Sequence, residues 1–209
     1  MPGRVWAIAT VAAGIVCLAF SIVAVVRAGL GLDPWTVLLQ GVARSGGVTL
    51  GRATQLTFLG LLAVNYLVGR ERPGLATVAS VLLEGPLIDL FDGLVPAAGP
   101  RLPVRTLWLV TGTLVMAFGI ALYVTPRLGA APPEGLMFAV QRRLALSLIR
   151  ARLLVDGLAL LGGVALGGSV GVGTVLLAGL VGPLMGLFHR RLAPLGPAAV
   201  ASMPAGPER

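Results

Sequence analysis

From Val5 to Val26 the chain runs for 22 residues without a charged side chain. A helix rises about 1.5 Å per residue, so a run of this length crosses the ~30 Å hydrocarbon core of a bilayer. Thr106–Pro126 is a second such run. Charged residues make up 11% of the chain and its mean hydropathy is +0.95. Soluble domains carry roughly a quarter charged residues, so this chain has too few to cover a water-facing surface. The composition predicts an all-α protein, a polytopic integral membrane helical bundle.

All 16 basic residues are arginines, against eight acids. They stand singly or in pairs at the ends of apolar runs, which is the placement of cytoplasmic flanks. A solvated basic face with interleaved aromatics is missing, and that excludes a nucleic-acid partner. The one cysteine, Cys17, lies inside an apolar run, and the one histidine, His189, beside Arg190 and Arg191. Triads, Cys-based metal sites and most zinc sites are closed by that arithmetic. No nucleophile elbow, phosphate loop or His-Glu-x-x-His motif occurs. The chain reads as a non-enzyme without cofactor or metal. Val5–Val26 is too long for a signal-peptide core and reads as a retained first span.

Further spans follow at Ala53–Gly69, which ends at the polar turn Arg70-Glu71-Arg72, and at Gly74–Phe91. The stretch from Leu153 to Phe188 carries only Asp156 and turns back at the glycines of Gly167–Gly171. Pro34–Ala43 and Pro132–Gln141 are different: each has ten residues, opens with proline and stops at an arginine. Ten helical residues cover about 15 Å, half a bilayer. These two segments read as short Pro-initiated helices beside about six spans, with an eight-span version left open.

The chain also matches itself. At an offset of 98, Phe20–Thr54 aligns with Phe118–Arg152. At an offset of 97, Pro73–Phe91 aligns with Val170–Phe188 with nine identities in 19, where this composition gives about two by chance. Two tandem membrane repeats are expected, at residues 1–95 and 105–191, joined by a loop at 96–104 and followed by an unstructured Pro/Ala/Gly tail at 192–209. Six spans make the repeats inverted; eight make them parallel. With the N-terminus inside, six spans place Arg4, Arg70, Arg72, the five from Arg127 to Arg152 and the last three inside, and five outside. Eight spans also satisfy the positive-inside rule. Length favours six.

Four stretches carry a resemblance: "GLGLDPWTVLLQGVARSGGVTLGRA" (Gly29–Ala53), "RPGLATVASVLLEGPLIDLF" (Arg72–Phe91), "GAAPPEGLMFAVQRR" (Gly129–Arg143) and "GGSVGVGTVLLAGLVGPLMGLF" (Gly167–Phe188). In these the chain resembles the YczE/YyaS/YitT family of bacterial membrane proteins, on its YczE-like branch. The resemblance implies an inner-membrane protein of five or more spans and at most a link to a small metabolite; it names no chemistry. The acid the family carries after Pro-Trp is Thr36 here, and its second-repeat counterpart is kept as Glu134.

Candidate site residues follow from cost. A charge at the centre of a span costs about 2.5–3.5 kcal/mol. Glu84, followed by Gly85-Pro86, therefore faces a cavity, pairs with an arginine or is protonated. Asp33 and Pro34 open the first short element, either as an ordinary N-cap and first helical residue or as an anion-binding helix start. Trp35 reads as an interface anchor or a platform for a substrate ring. Glu134 is favoured by the dipole of the second short element and could pair with Arg127. Gln40, Gln55 and Asn65 line a polar path or tie helices together. Asp89 lies five residues beyond Glu84, on another face, and Asp156 stands at ion-pair spacing from Arg152.

Sites in transporters built from repeats lie near the midplane where the repeats meet. The reading is a permease-like carrier of a small polar or charged metabolite, bound by Asp33, Pro34, Trp35, Gln40, Glu84, Asp89, Arg127 and Glu134. The alternative is a non-transporting membrane partner or stabilising subunit of another assembly, docking through Gly41 and Ser45. A homo-oligomer is compatible with either.

Overall fold

The structure is a computed structural model and describes residues 2–69, 73–192 and 194. Both the expected tail and the Arg70–Arg72 turn lie outside the described residues, apart from Leu192 and Pro194. Eight α-helices make up the rest: α1 (Pro2–Ala28), α2 (Pro34–Gly46), α3 (Leu50–Val64), α4 (Leu75–Leu94), α5 (Leu102–Val124), α6 (Pro132–Arg143), α7 (Leu148–Ala165) and α8 (Val172–Leu192). A π-helical turn, Asn65–Gly69, extends α3. The chain is an all-helical membrane bundle. By length and composition α1, α5 and α8 can each cross a bilayer, and α2 and α3 form a pair bent by 110°.

The short elements run past the arginines that bounded them in sequence. α2 continues to Gly46, where Gly47 takes a left-handed cap and donates to the Ala43 carbonyl. At 13 residues it still covers only about 20 Å. Asp33 caps its start by accepting from the Thr36 amide. Thr49 caps α3 and Ser147 caps α7, each accepting from the amide three residues on; the two caps stand 98 apart.

α1 and α5 form the central crossing. A Cβ on Gly14 would sit 2.9 Å from the Gly119 carbonyl oxygen, while Gly112 is backed by Val25 and Ala24. As residue number rises along α1 it falls along α5, so the two helices are antiparallel. Ala19 and Ala117 are both 0% exposed near the crossing. Glycine and alanine are what such a seam needs, because in lipid helices gain from close packing rather than from hydrophobicity.

Contacts on one side of this crossing recur on the other. Phe20 meets Phe91 edge-on at 5.6 Å, and Phe118 meets Phe188 edge-on at 5.5 Å. Arg27 pairs with Asp92 at 2.9 Å, and Thr125 bonds His189 at 3.1 Å. His189 is thus a helix tie at the end of α8. The loop after α1 docks on the start of α8: the Gly173 amide donates to the Leu30 carbonyl and the Leu32 amide to Thr174 Oγ1. The loop after α5 docks on the start of α4 in the same way. There the Ala76 amide donates to the Leu128 carbonyl, and Thr77 Oγ1 to the Ala130 carbonyl. Gly31 and Gly129 sit at the two closest approaches with φ of 119° and 135°. A Cβ at Gly31 would meet the Gly171 nitrogen at 2.7 Å, and one at Gly129 the Gly74 Cα at 2.9 Å.

One contact does not recur. α3 and α4 are zipped together: Gly51 and Gly85 lie backbone to backbone, and the Asp89 carboxylate accepts from Thr49 Oγ1 at 2.7 Å and the Gly51 amide at 2.8 Å. α7 and α8 have no comparable interface. Ile149 and Gly186 stand where the repeat alignment puts Gly51 and Asp89. Ile149 is 74% exposed and nothing lies within 4 Å of a Cβ on Gly182. A β-branched side chain in place of glycine, and no carboxylate to hold the facing helix, account for the separation.

Gly31→Ala and Gly129→Ala each add left-handed strain of about 1–3 kcal/mol to a backbone collision. Each is expected to lower the thermal unfolding midpoint of the detergent-solubilised protein by several degrees. Gly60→Ala, at an open helical position, should leave the midpoint unchanged or raise it.

Candidate functional site

Acids from four helices converge where α2 and α6 begin. Asp33 is the N-cap of α2 and Glu134 stands in the first turn of α6. Both lie within Coulombic reach of Glu84 on α4. Asp156 on α7 reaches Asp33 and Glu134, and Arg152, one turn earlier, reaches Glu134. Arg152 and Asp156 form the i,i+4 ion pair that their spacing predicts, at 3.4 Å. Trp35 Nε1 donates to the other oxygen of Asp156 at 3.0 Å. Trp35 is thereby fixed as the link between α2 and α7.

Burial is uneven across this group. Glu84 is 4% exposed, whereas the Arg152 side chain is 52% exposed and that of Asp156 28%. The cluster is therefore sealed on the α4 side and reached from α7. No hydrogen bond or ion pair reaches Glu84 among the described residues. Asp33 Oδ1 and Glu134 Oε2 are buried without a partner. Beside Glu134 lies a cavity of about 110 Å³ lined by Leu18, Ile120, Tyr123, Val124, Ala130, Ala131, Glu134 and Phe138. The Tyr123 hydroxyl is also buried, beside Ser80. Helix starts offset part of the cost of these carboxylates at Asp33 and Glu134; Glu84 has no such help.

Three sequence candidates lie elsewhere. Gln40 accepts from the Ser169 amide at 2.7 Å, next to Arg44, which donates to the Gly167 carbonyl and Ser169 Oγ. Together they clamp the far end of α2 to the α7–α8 turn. Asp89 belongs to the α3–α4 zipper. Arg127 is exposed in a left-handed backbone conformation (φ 54°), and the arginine whose charge reaches Glu134 is Arg152 instead. Pro34 supplies the first helical residue of α2, an architectural role.

Gln55 and Asn65 act as helix ties. Pro86 has no N–H, which frees the Leu82 carbonyl four residues back, and Gln55 Nε2 donates to it at 3.3 Å. Asn65 Nδ2 donates to the Pro132 carbonyl at 2.8 Å. Gly41 packs on Gly163 inside the chain, so it does not offer a face to an outside partner. Tyr123 was not legible as a site residue, because a tyrosine near the end of a span reads as an interface anchor. Among the described residues no three of His, Cys, Asp and Glu are placed to hold a metal ion.

Residues 5–190 match the Family of unknown function (DUF6198). The chain belongs to that family. It is 33% identical over 174 residues to an uncharacterized protein of Haemophilus influenzae, covering 82% of this chain and 78% of the relative. It is 26% identical to the uncharacterized membrane protein YczE of Bacillus subtilis over 176 residues, 83% of this chain and 80% of that one. With the uncharacterized protein YyaS of the same organism it shares 27% over 177 residues, 84% and 88% of the two chains. The resemblance to the YczE and YyaS proteins seen in the Gly/Pro motifs therefore holds over most of the chain. No solved structure matches it.

Asp89→Ala strips partners from Thr49 and the Gly51 amide, at about 1–3 kcal/mol. Its thermal unfolding midpoint in detergent should fall below that of the parent. Glu84→Gln removes no hydrogen bond and should unfold at the parent's midpoint or above it.

Proposed function

We propose that this membrane protein is a permease-like carrier of a small polar or charged solute, built from two inverted repeats with the solute site where they meet. It lies in the bacterial inner membrane with six spans and a cytoplasmic N-terminus, and it performs no covalent chemistry. α2 and α6 dip in as half-helices, and Glu84 is the acid that couples to a proton or coordinates a cationic group of the solute. The observation that carries this reading is the gathering of Asp33, Glu84 and Glu134 beside the starts of both short helices. Half-helices ending at a midplane site between inverted repeats are the recurring plan of secondary transporters.

Three further features support it. α1 and α5 align at the repeat offset and run antiparallel, which needs an odd number of crossings from one to the other. Three crossings per repeat satisfy that; four do not. The paired loop dockings and aromatic contacts match residue for residue at offsets of 98 and 97. The zipped α3–α4 pair and the parted α7–α8 pair give the site one closed and one open side, as one state of an alternating carrier would have.

A second reading, a non-transporting membrane partner, draws on the unpaired apolar faces of α7 and α8. Crosslinking from cysteines at Gly179 and Gly182 that recovers one stoichiometric foreign protein would favour it.

Proteoliposomes loaded at one pH and diluted into another should take up a solute from a metabolite panel, with Glu84→Gln abolishing the dependence on the gradient. Uptake that Glu84→Gln leaves intact, or none across the panel, counts against the carrier. Topology is read separately in a Cys17→Ala background. Cysteines at Gly47 and Gly99 should be labelled from the face opposite a cysteine at Gly3; all three labelled from one face means eight spans.

A further inference from the structure

α8 carries a row of glycines on the side that nothing else in the chain covers. Its buried residues, Gly173, Thr174, Leu177 and Val181, form the side held by α5 and the α1–α2 loop. At 3.6 residues per turn, Val172, Val175, Gly179, Gly182 and Gly186 fall within an arc of about 80° on the opposite side. Val172 and Val175 are each 74% exposed, and a Cβ on any of these three glycines would meet nothing within 4 Å. Gly60 on α3 and Gly157 on α7 are also open, but each stands singly. Of the most apolar 18 residues of α8, 22% are buried, against 50% in α1 and 44% in α5.

The first repeat shows what occupies this face when it is covered. Gly182 is the counterpart of Gly85 at the offset of 97, and Gly85 receives the backbone of another helix. A Cβ there would lie 2.5 Å from the Gly51 carbonyl oxygen. In the second repeat the helix due at Gly182 is α7, but its counterpart of Gly51 is Ile149, whose branched side chain keeps backbones apart. Glycine in a helix interior costs stability relative to alanine, and in lipid close approach of two backbones offsets that cost. The helix that covers Gly182 must therefore bring a small-residue face of its own.

α8 itself has such a face. Gly182 and Gly186 stand four apart, the spacing at which small residues seat two membrane helices closely. No residue from Val172 to Phe188 is charged, so two copies of the face meet without repulsion. Copies inserted the same way round are related by a twofold axis along the membrane normal, which sets α8 parallel to α8 and Gly182 near its own mate. Leu176, Leu180 and Leu187, exposed along one edge of the glycine row, then pack across the partner helix. We infer that α8 is the interface of a homodimer, crossing its copy at Gly179, Gly182 and Gly186. This pairing goes beyond the carrier reading and does not depend on it.

The test uses the full-length protein with Cys17→Ala and Gly99→Cys, labelled with donor or acceptor dye, in vesicles of phosphatidylethanolamine and phosphatidylglycerol. Energy transfer should fall along a monomer–dimer curve as lipid is added. Gly182→Ile and Gly186→Ile should each weaken association about tenfold and still unfold cooperatively, because the added side chains meet nothing within the chain. Gly157→Ile, on the open side of α7, should leave association unchanged. In native membranes with Cys17→Ala alone, copper phenanthroline should oxidise Gly182→Cys to a disulfide-linked pair of this chain, and Gly157→Cys should stay single. Transfer no greater than random proximity at every dilution means that lipid covers the face, and it overturns the dimer. Association that both isoleucine variants leave intact overturns it too, as does a Gly182→Cys crosslink to a foreign protein instead of a copy.

Discussion

The close crossing of α1 over α5 is the contact on which the rest depends. It works because Gly14, Ala19, Gly112, Ala117 and Gly119 keep side chains out of the seam. In lipid there is no hydrophobic gain from pressing one apolar helix on another, so the approach must be close enough for dispersion between backbones to add up. Because the crossing is antiparallel, the loop at the end of each of these helices emerges at the opposite end of the bundle. Each loop is then delivered to the start of a helix in the other half of the chain.

That delivery answers a requirement of hydrocarbon. The first amides of a helix have no partner within it, and lipid offers none. The Gly173 and Ala76 amides are met by the Leu30 and Leu128 carbonyls, with Thr174 and Thr77 closing the same junctions. Among the described residues, the buried polar atoms left unmet include Asp33 Oδ1 at the start of α2 and Glu134 Oε2 in the first turn of α6.

Much of the architecture was readable from residues alone. Uncharged run length gave the long helices, proline marked the starts of α2 and α6 although both run past the arginines expected to end them, and the Gly167–Gly171 cluster marked the return between α7 and α8. The two offsets anticipated which contacts would come in pairs. Glu84, Glu134 and Asp33 were legible because a charge in an apolar run must be explained. Gln40 and Asp89 were legible as polar but not as clamps, since their partners, Ser169 and Gly51, lie 129 and 38 residues away. Arg127 and Arg152 could not be ranked as neighbours of Glu134 without knowing that α7 folds back beside α6. Tyr123 carried no mark at all, since its place beside the cavity comes from the fold around it.

The docking of the α1–α2 loop on α8 has a consequence for biogenesis. The Leu32 amide and its acceptor Thr174 are 142 residues apart. At a synthesis rate of about 5–20 residues per second, the first hairpin waits roughly 7–30 s before its clasp exists. Throughout that interval the Leu32 amide and the Leu30 carbonyl lack the partners that α8 brings. A ribosome that stops short of α8 would release a bundle that cannot lock.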